Sequence, residues 1–447
     1  MSASKPILAL NAFDASEAEE LEGRTAEMVA RRRETAGASS VLFYQEPIEM
    51  VRARGVFMFD ADGNRYLDVY NNVPSVGHCH PHVVEAIVRQ SERLSIHTRY
   101  LNETVQAYAE RLLATLPPSI SQLVMTCTGS ESNDLALRLA EATTGARGVI
   151  VTETAYHGNT ALTTEVSPSS LKGGSIPSHI RTLPLPAERA GDGPGDLAER
   201  FAASVRAAIV SLKADGHGLA GMIVDSIFSS DGVFADPPGF LKPAVEAVQA
   251  AGGVFIADEV QPGFGRTGTA LWGFARHGVT PDIVTFGKPM GNGYPMGGVA
   301  TRPGLLDRFC DSVGYFNTFG GNTVAAAAGQ AVLDVIEREG LLANAEAVGA
   351  HLRGGLRELA GRHPEIGAVR GAGLFVGLDV VGRDSGAPDP EGAIRAINGL
   401  RRRHVLVGAA GPFGHTLKIR PPLCFERQHV DLFVETLDAV LTGDVRA

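Results

Sequence analysis

The feature that most constrains the fold of this 447-residue chain is a series of short apolar segments between residues 120 and 300. Each is rich in β-branched residues, and most are separated by segments with a helical pattern. Continuous apolar strands joined by helices indicate a mostly parallel sheet that is covered on both faces. The predicted strands span residues 122–125, 148–151, 221–224, 254–257 and 283–285.

Ligands of such sheets bind at the carboxyl ends of the strands, so the residues that follow each strand are candidate site residues. Gly129 and Ser130 follow the first strand and open a predicted helix, whose free N–H groups favour an anion. The alternative is a simple helix cap. Tyr156 and His157 follow the second strand, where an aromatic ring would cover a flat ligand unless both side chains only pack in the core or lie on the surface.

Two ionisable residues complete this pattern. Asp258 ends an apolar strand and needs a partner there, which would be a cationic ring nitrogen or an arginine. Lys288 lies among glycines and prolines after the last strand, where loss of hydration favours the neutral amine, a nucleophile and base. A surface lysine in a loop is the alternative. An anion site, an aromatic ring, an acid and an amine together are what pyridoxal phosphate requires.

The rest of the chain predicts an appended segment and a smaller domain. We expect an N-terminal helix begun by a Ser16–Glu19 capping box, a β-hairpin around Asp62-Gly63, and a helical region over 81–116. Helices and short strands follow residue 325. The predicted divisions are an N-terminal segment (1–70, a helix and a small hairpin that belong to the small domain), a large cofactor-binding domain (71–324) and a C-terminal small α+β domain (325–447).

Composition excludes several classes of partner. The net charge of −10 argues against a nucleic-acid surface. The four cysteines are far apart, and the two histidines of His78-Cys79-His80 have no ligand spacing, so we predict neither a disulfide nor a metal. The chain has no signal pattern and no apolar run that would span a membrane. We therefore expect a soluble cytoplasmic protein with no membrane partner.

A glycine motif, Gly263-Phe264-Gly265-Arg266-Thr267-Gly268, matches the GxGxxG fingerprint of dinucleotide-binding proteins. It follows an acidic pair, opens no clear helix and lacks the expected downstream strand, so we predict that the match is fortuitous. A nicotinamide oxidoreductase is therefore disfavoured. A catalytically silent binding protein is a further alternative, against which Lys288 argues.

From about residue 42 onwards the chain closely resembles the class III aminotransferases of fold type I. The resemblance implies a large, mostly parallel-sheet domain, a smaller α+β domain and pyridoxal 5'-phosphate as cofactor. It implies that Lys288 carries the cofactor, Asp258 pairs with the pyridine nitrogen and Tyr156 stacks on the ring. The motifs that carry it are 128–134, Tyr156-His157-Gly158, 255–261, Phe286-Gly287-Lys288 and 317–322.

The resemblance also implies further cofactor contacts and an assembly. Gly129 and Ser130 would hold the cofactor phosphate, and His157 would lie beside the ring. Val260 and Gln261 would lie by its other face and its phenolic oxygen. Thr318 would reach the phosphate of a neighbouring subunit, because this family forms dimers with active sites at the interface. We expect a homodimer or a dimer of dimers.

Within the family, the chain is most similar to the branch of type 2 alanine–glyoxylate aminotransferases and the phosphoethanolamine and phosphohydroxylysine phospho-lyases. Lys418 lies where many members carry an arginine that grips a carboxylate. A lysine lacks that bidentate fork but serves a phosphate as a point charge. Asp225-Ser226 lies where many relatives have Glu-Pro, which puts the usual carboxylate switch in doubt.

These departures favour a phospho-lyase that eliminates phosphate and ammonia from a phosphorylated amino alcohol such as O-phosphoethanolamine. The alternative is an aminotransferase of the alanine–glyoxylate or ω-amine:pyruvate type. For Arg420 and Arg266, an ordinary surface or interface ion pair is the competing interpretation. The candidate ligands of the substrate phosphate are Lys418, Arg420, Asn72 and Arg266.

Overall fold

The computed structural model describes residues 10–171, 175–189, 191–193 and 195–443. Residues 1–9 of the predicted N-terminal segment and 444–447 of the predicted small domain lie outside this range. In the described part of the chain, the helices are α1 Gly23–Ala36, α2 Pro81–Arg93, α3 Glu103–Leu113, α4 Gly129–Thr144, α5 Ala161–Glu165, α6 Asp196–Ala214, α7 Lys242–Ala250, α8 Leu305–Cys310, α9 Thr323–Arg338, α10 Leu341–Ala360, α11 Pro390–Arg402 and α12 Arg427–Thr442.

The strands form three sheets. Their bounds are β1 Met50–Arg54, β2 Phe57–Asp60, β3 Arg65–Asp68, β4 Gln122–Thr126, β5 Val149–Thr152, β6 Ile180–Leu183, β7 Gly221–Val224, β8 Val254–Asp258, β9 Ile283–Phe286, β10 Gly297–Thr301, β11 Ile366–Ala372, β12 Phe375–Val380, β13 Val405–Leu406, β14 Gly408–Ala410 and β15 Thr416–Ile419.

The central sheet has seven strands in the order β4-β10-β9-β8-β7-β5-β6. β10 is antiparallel to both neighbours, and the other pairs are parallel. The predicted mostly parallel sheet is confirmed, and all five predicted strands lie in it. Two strands were missed. β6 carries a charged Arg181 in a four-residue strand, and β10 begins with two glycines, so neither has the continuous apolar pattern of its neighbours.

Burial on both faces explains why these strands are continuously apolar. In β8, Phe255 and Ala257 belong to one hydrophobic cluster, whereas Val254 and Ile256 belong to another on the opposite face. Successive side chains of a strand point to opposite faces, so each face of the sheet has its own core. Helices cover both faces, as expected for this architecture.

The remaining sheets involve the two ends of the chain. β2 and β3 form the predicted hairpin, with Phe57 opposite Leu67. β3 also pairs in parallel with β13, which joins the N-terminal hairpin to the C-terminal region. The third sheet is antiparallel, in the order β11-β12-β15-β14. The boundaries at residues 70 and 324 remain predictions.

Two expectations about helices were wrong in detail. Ser16 and Glu19 do not form a capping box. Instead, the Asp14 carboxylate accepts a hydrogen bond from the Ser16 N–H at 2.9 Å and begins a short 3-10 turn, while the main helix is α1. The helical region 81–116 is two helices, because Asn102 caps α3 with its side chain. None of the helices in the described part of the chain combines the length and apolar composition of a membrane span.

Candidate active site

The residues that follow the parallel strands meet at one cavity of about 120 Å³. β4, β5, β7, β8 and β9 all direct their carboxyl ends to this edge of the sheet, which is why distant parts of the sequence converge here. The cavity is lined by Gly129, Ser130, Asn133, Tyr156, His157, Gly158, Asp225, Asp258, Val260, Gln261 and Lys288.

One end of the cavity is the N-terminus of α4. Thr128 caps this helix in a capping box with Glu131, so Gly129 and Ser130 occupy its first turn. Gly158 has φ +144°, and a Cβ there would lie 2.8 Å from the Ser130 hydroxyl oxygen. The glycine therefore lets the backbone approach the helix closely. These free N–H groups and the Ser130 hydroxyl suit a phosphate.

Deeper in the cavity, the Asp258 carboxylate is buried and contacts three nitrogen atoms. Its carboxylate is 2.7 Å from His157 Nδ1, and it accepts hydrogen bonds from Asn133 Nδ2 at 2.9 Å and from the Val260 N–H at 3.0 Å. Burial alone would raise the pKa of Asp258, but the contact with His157, supported by the other two donors, brings it below its usual value. The site therefore presents an ionised carboxylate, which suits a protonated ring nitrogen.

Asn133 was not predicted, although its position could have suggested it. It lies four residues after Gly129 on α4 and therefore on the same helical face. Its Oδ1 accepts a hydrogen bond from Thr285 Oγ1 at 2.6 Å, and its Nδ2 also donates to the His157 carbonyl at 2.8 Å. These contacts determine the orientation of the amide, so that its N–H groups face Asp258.

Lys288 directly follows Gly287, after the end of β9, and has φ 29°, in the left-handed region. Burial, and next the positive charge of Arg420, lower the pKa of Lys288 to about 8. More of the amine is therefore neutral near pH 7 than for an ordinary lysine, as a nucleophile and base require. Tyr156 is half-buried beside it, and burial raises the pKa of its phenol, which stays protonated.

Arg420 and Arg266 are both buried, which rules out the surface ion pair considered for them. The Arg420 guanidinium donates to the Tyr70 carbonyl at 2.9 Å and to Gln261 Oε1, and lies 4.4 Å from the Tyr70 ring centroid. The Arg266 guanidinium donates to the Leu374 carbonyl, the Pro421 carbonyl and the Ser75 hydroxyl. Neither pairs with a carboxylate among the described residues.

Lys418 lies on β15 and is 3% exposed. Burial, and next the charge of Arg420, lower the pKa of Lys418 well below its usual value; Asp225 and Lys288 also act on it. No carboxylate forms an ion pair with it in the described part of the chain. Asn72 is 2% exposed, and its Nδ2 has no hydrogen-bond partner among the described residues. The four candidate phosphate ligands are thus all buried, but none of them lines the cavity itself.

Thr318 and Asp225 differ in their position relative to the cavity. Thr318 is exposed and does not line it. Asp225 lines it but does not approach Arg420 directly. Its carboxylate accepts hydrogen bonds from the Ile227 N–H at 3.0 Å, the Ser229 N–H at 2.9 Å and the Ser229 hydroxyl at 2.6 Å. Asp225 is therefore bound by its own loop.

The neighbouring motifs have structural explanations. Glu259 is buried and accepts hydrogen bonds from the Gly273 and Phe274 N–H groups at 2.7 and 2.8 Å, so only Asp258 of the acidic pair faces the cavity. Gly263–Gly268 is a buried turn that opens no helix, unlike a dinucleotide fingerprint. His78 contacts Asp68 at 2.7 Å and His80 contacts Glu339 at 2.9 Å, so the two histidines face different carboxylates.

Comparison with known families agrees with this geometry. Residues 41–441 match the model of the family described as aminotransferase class-III. The chain belongs to this family. It is 39% identical over 432 residues to an alanine–glyoxylate aminotransferase 2-like protein of Drosophila melanogaster. The matched region covers 93% of this chain and 87% of the relative.

The names of two other similar proteins give a different activity. An ethanolamine-phosphate phospho-lyase homolog of Caenorhabditis elegans is 38% identical over 436 residues, 93% of each chain. The structure of a phospholyase from Arthrobacter in complex with phosphoethanolamine has a TM-score of 0.89 and 43% identity, covering 93% of this chain and 99% of that one. The predicted family is therefore confirmed.

The protein is a pyridoxal phosphate-dependent enzyme of fold type I. Its own residues fit that cofactor. The first turn of α4 and the close approach of Gly158 suit the phosphate, the ionised Asp258 suits a protonated pyridine nitrogen, and the lowered pKa of Lys288 suits the amine that binds the aldehyde.

Proposed function

We propose that this enzyme is a phospho-lyase that releases phosphate and ammonia from a phosphorylated amino alcohol such as O-phosphoethanolamine. The observation that carries the proposal is the pair of buried basic side chains, Lys418 and Arg420, which have no acidic partner among the described residues. Uncompensated buried charge is costly, and an anionic substrate group would offset that cost. The names of the C. elegans and Arthrobacter relatives support the same assignment.

When bound, pyridoxal phosphate withdraws electrons from the carbon next to the substrate nitrogen and so makes its proton acidic. The residues of the chain supply the remaining requirements. Asp258, ionised and fixed by His157 and Asn133, would stabilise a positive charge on the pyridine nitrogen. The Lys288 Nζ would serve as the base that removes the proton from that carbon.

The fate of the electron pair separates the two candidate reactions. In a lyase, the pair expels phosphate from the adjacent carbon, and hydrolysis of the resulting enamine gives an aldehyde and ammonia. Lys418 and Arg420 would bind the substrate phosphate and stabilise the charge it carries as it leaves. In an aminotransferase, a proton is added instead. Both reactions use the same cofactor contacts, so a second anion site formed by Lys418 and Arg420 would favour the lyase.

Incubation of the holoenzyme with phosphoethanolamine, without a keto acid, tests the proposal. We expect inorganic phosphate and ammonia to be released in equal amounts over many turnovers. A matched reaction with alanine and glyoxylate, or with an ω-amine and pyruvate, measures the alternative. Amino transfer to the keto acid without any phosphate release from phosphoethanolamine would show that the enzyme is an aminotransferase.

We also propose that the enzyme is a homodimer with its active sites at the interface, with Thr318 reaching the cofactor phosphate of the partner subunit. The supporting observation is an exposed apolar surface beside Thr318, where the rings of Phe316 and Tyr100 both pack against His97. Tyr100, Leu101 and Phe319 are 66%, 105% and 71% exposed, and Phe316 is 41% exposed. Such a cluster is unusual on a monomer and typical of an interface.

Light scattering of the holoenzyme tests this assembly. We expect a mass of twice 47.0 kDa or a larger even multiple. A Phe319→Asp substitution should shift the protein towards the monomer, whereas Val210→Asp, at an exposed apolar residue of α6, serves as the control and should leave the mass unchanged. A wild-type mass of one chain at micromolar concentration would contradict the proposal.

A further inference from the structure

A chain of hydrogen bonds connects the buried Arg420 to Asp225 at the cavity. The Arg420 guanidinium donates to Gln261 Oε1. Gln261 Nε2 donates to the Ser229 hydroxyl oxygen at 2.6 Å, and the Ser229 hydroxyl donates to Asp225 Oδ2 at 2.6 Å. The relay thus runs from the Arg420 guanidinium to the Asp225 carboxyl group through two neutral side chains. Ser229 is fully buried at its centre.

The direction of every bond in this relay follows from the groups themselves. A guanidinium only donates, so Gln261 must present its oxygen to Arg420 and its amide nitrogen to Ser229. The Ser229 oxygen is then an acceptor, and its single proton goes to Asp225. Both Asp225 oxygens also accept from loop N–H groups, of Ile227 and Ser229. The arrangement therefore holds the Asp225 carboxyl group away from the arginine.

The charges around Arg420 show what this separation achieves. Its other hydrogen bond goes to the Tyr70 carbonyl, and its plane lies over the Tyr70 ring. No carboxylate pairs with it in the described part of the chain. A carboxylate that reached Arg420 would neutralise the charge that an incoming anion needs, because a bidentate pair with arginine is among the strongest polar contacts in proteins.

We propose that Ser229 is a positioning residue that keeps Arg420 available to the substrate's anionic group, by holding Gln261 and Asp225 in this relay. The inference rests on the proposed function, because it assigns Arg420 to the substrate phosphate. Without the hydroxyl, Gln261 loses an acceptor and Asp225 loses a donor. Asp225 then keeps only its two backbone donors, and we expect it to turn towards Arg420 and to compete with the substrate.

Steady-state kinetics of the holoenzyme with phosphoethanolamine test the role of Ser229. We expect Ser229→Ala and Ser229→Gly to raise the KM about tenfold, as for the loss of one hydrogen bond to a charged group, and to leave kcat within about threefold. Ser229→Thr, which restores a hydroxyl, should recover most of the wild-type KM. The cofactor absorption spectrum should be unchanged in all variants. A general loss of structure would instead lower kcat and cofactor content together.

Ser230→Ala is the matched control. Ser230 is also buried in the same loop, and its hydroxyl is not part of the relay. Removal of this hydroxyl should leave the KM unchanged. If Ser230→Ala and Ser229→Ala raise the KM equally, or if Ser229→Ala leaves it within twofold of wild type, the role of Ser229 is overturned while the lyase assignment stands.

Titration with inorganic phosphate, followed through the cofactor absorption band, separates this inference from the proposed function. We expect phosphate to bind the wild-type holoenzyme and to bind Ser229→Ala about tenfold more weakly. If phosphoethanolamine releases no phosphate but this difference in binding is found, the lyase assignment fails and the role of Ser229 stands. If the wild-type holoenzyme does not bind phosphate, both are overturned.

Discussion

The Lys288→Ala variant is expected to lose phosphate release from phosphoethanolamine by about 10³-fold or more, because one amine serves as both nucleophile and base. Burial and the charge of Arg420 lower the pKa of Lys288 to about 8, and no other lysine is among the residues that line the cavity in the described part of the chain. No second amine of the described residues therefore lines the cavity to take over both roles.

The same variant allows the two roles of Lys288 to be separated. The cofactor should remain bound through Asp258 and the first turn of α4, but borohydride should no longer attach it to the protein. Added methylamine should restore part of the proton removal and not the covalent attachment. Lys213→Ala, at an exposed lysine of α6, is the control and should keep full activity. Retained turnover in Lys288→Ala would show that another group carries the chemistry.

The fold could largely be predicted because the strands of its main sheet are recognisable from short stretches of sequence. Strands buried on both faces are continuously apolar, as in β8. This pattern can be recognised in the sequence even when the neighbouring strands are unknown. The rule that ligands bind at the carboxyl ends then placed Lys288 and Asp258 at one edge of that sheet. β10 was not predicted, because glycines are not typical of strands. In the structure it lies between β4 and β9 and completes the sheet.

The contacts around the proposed anion site could not be predicted, because they join residues that are far apart in sequence. The hydrogen bond between Arg420 and Gln261 joins residues 159 positions apart, and that between Arg266 and Pro421 joins residues 155 positions apart. No local pattern distinguishes such a buried arginine from a surface one, and so a surface ion pair stood as an alternative for both residues. Ser229 likewise gives no signal in the sequence, since its role depends on Gln261 and Asp225 together.

Loss of the charge of Lys418 is expected to reduce kcat/KM for phosphoethanolamine by about 10²-fold. Lys418→Met keeps the length of the side chain and suits its surroundings, where Nζ lies 5.7 Å from the Phe375 ring centroid. Removal of an unpaired buried charge should not destabilise the protein, so the loss would report on substrate binding. Lys242→Met, at an exposed lysine, is the control. Unchanged kcat/KM in Lys418→Met would exclude Lys418 from the phosphate site.

The pH dependence of the KM provides an independent test of the same residue. Burial, and next the charge of Arg420, lower the pKa of Lys418, so its positive charge is present at low pH and is lost as the pH rises through that lowered pKa. The KM of the wild-type enzyme should therefore increase with pH. In Lys418→Arg the guanidinium stays protonated, and the increase should move to higher pH. In Lys418→Met this component should be absent. Because ionisation of the substrate is common to all three enzymes, identical pH profiles would show that the charge at position 418 does not bind the phosphate.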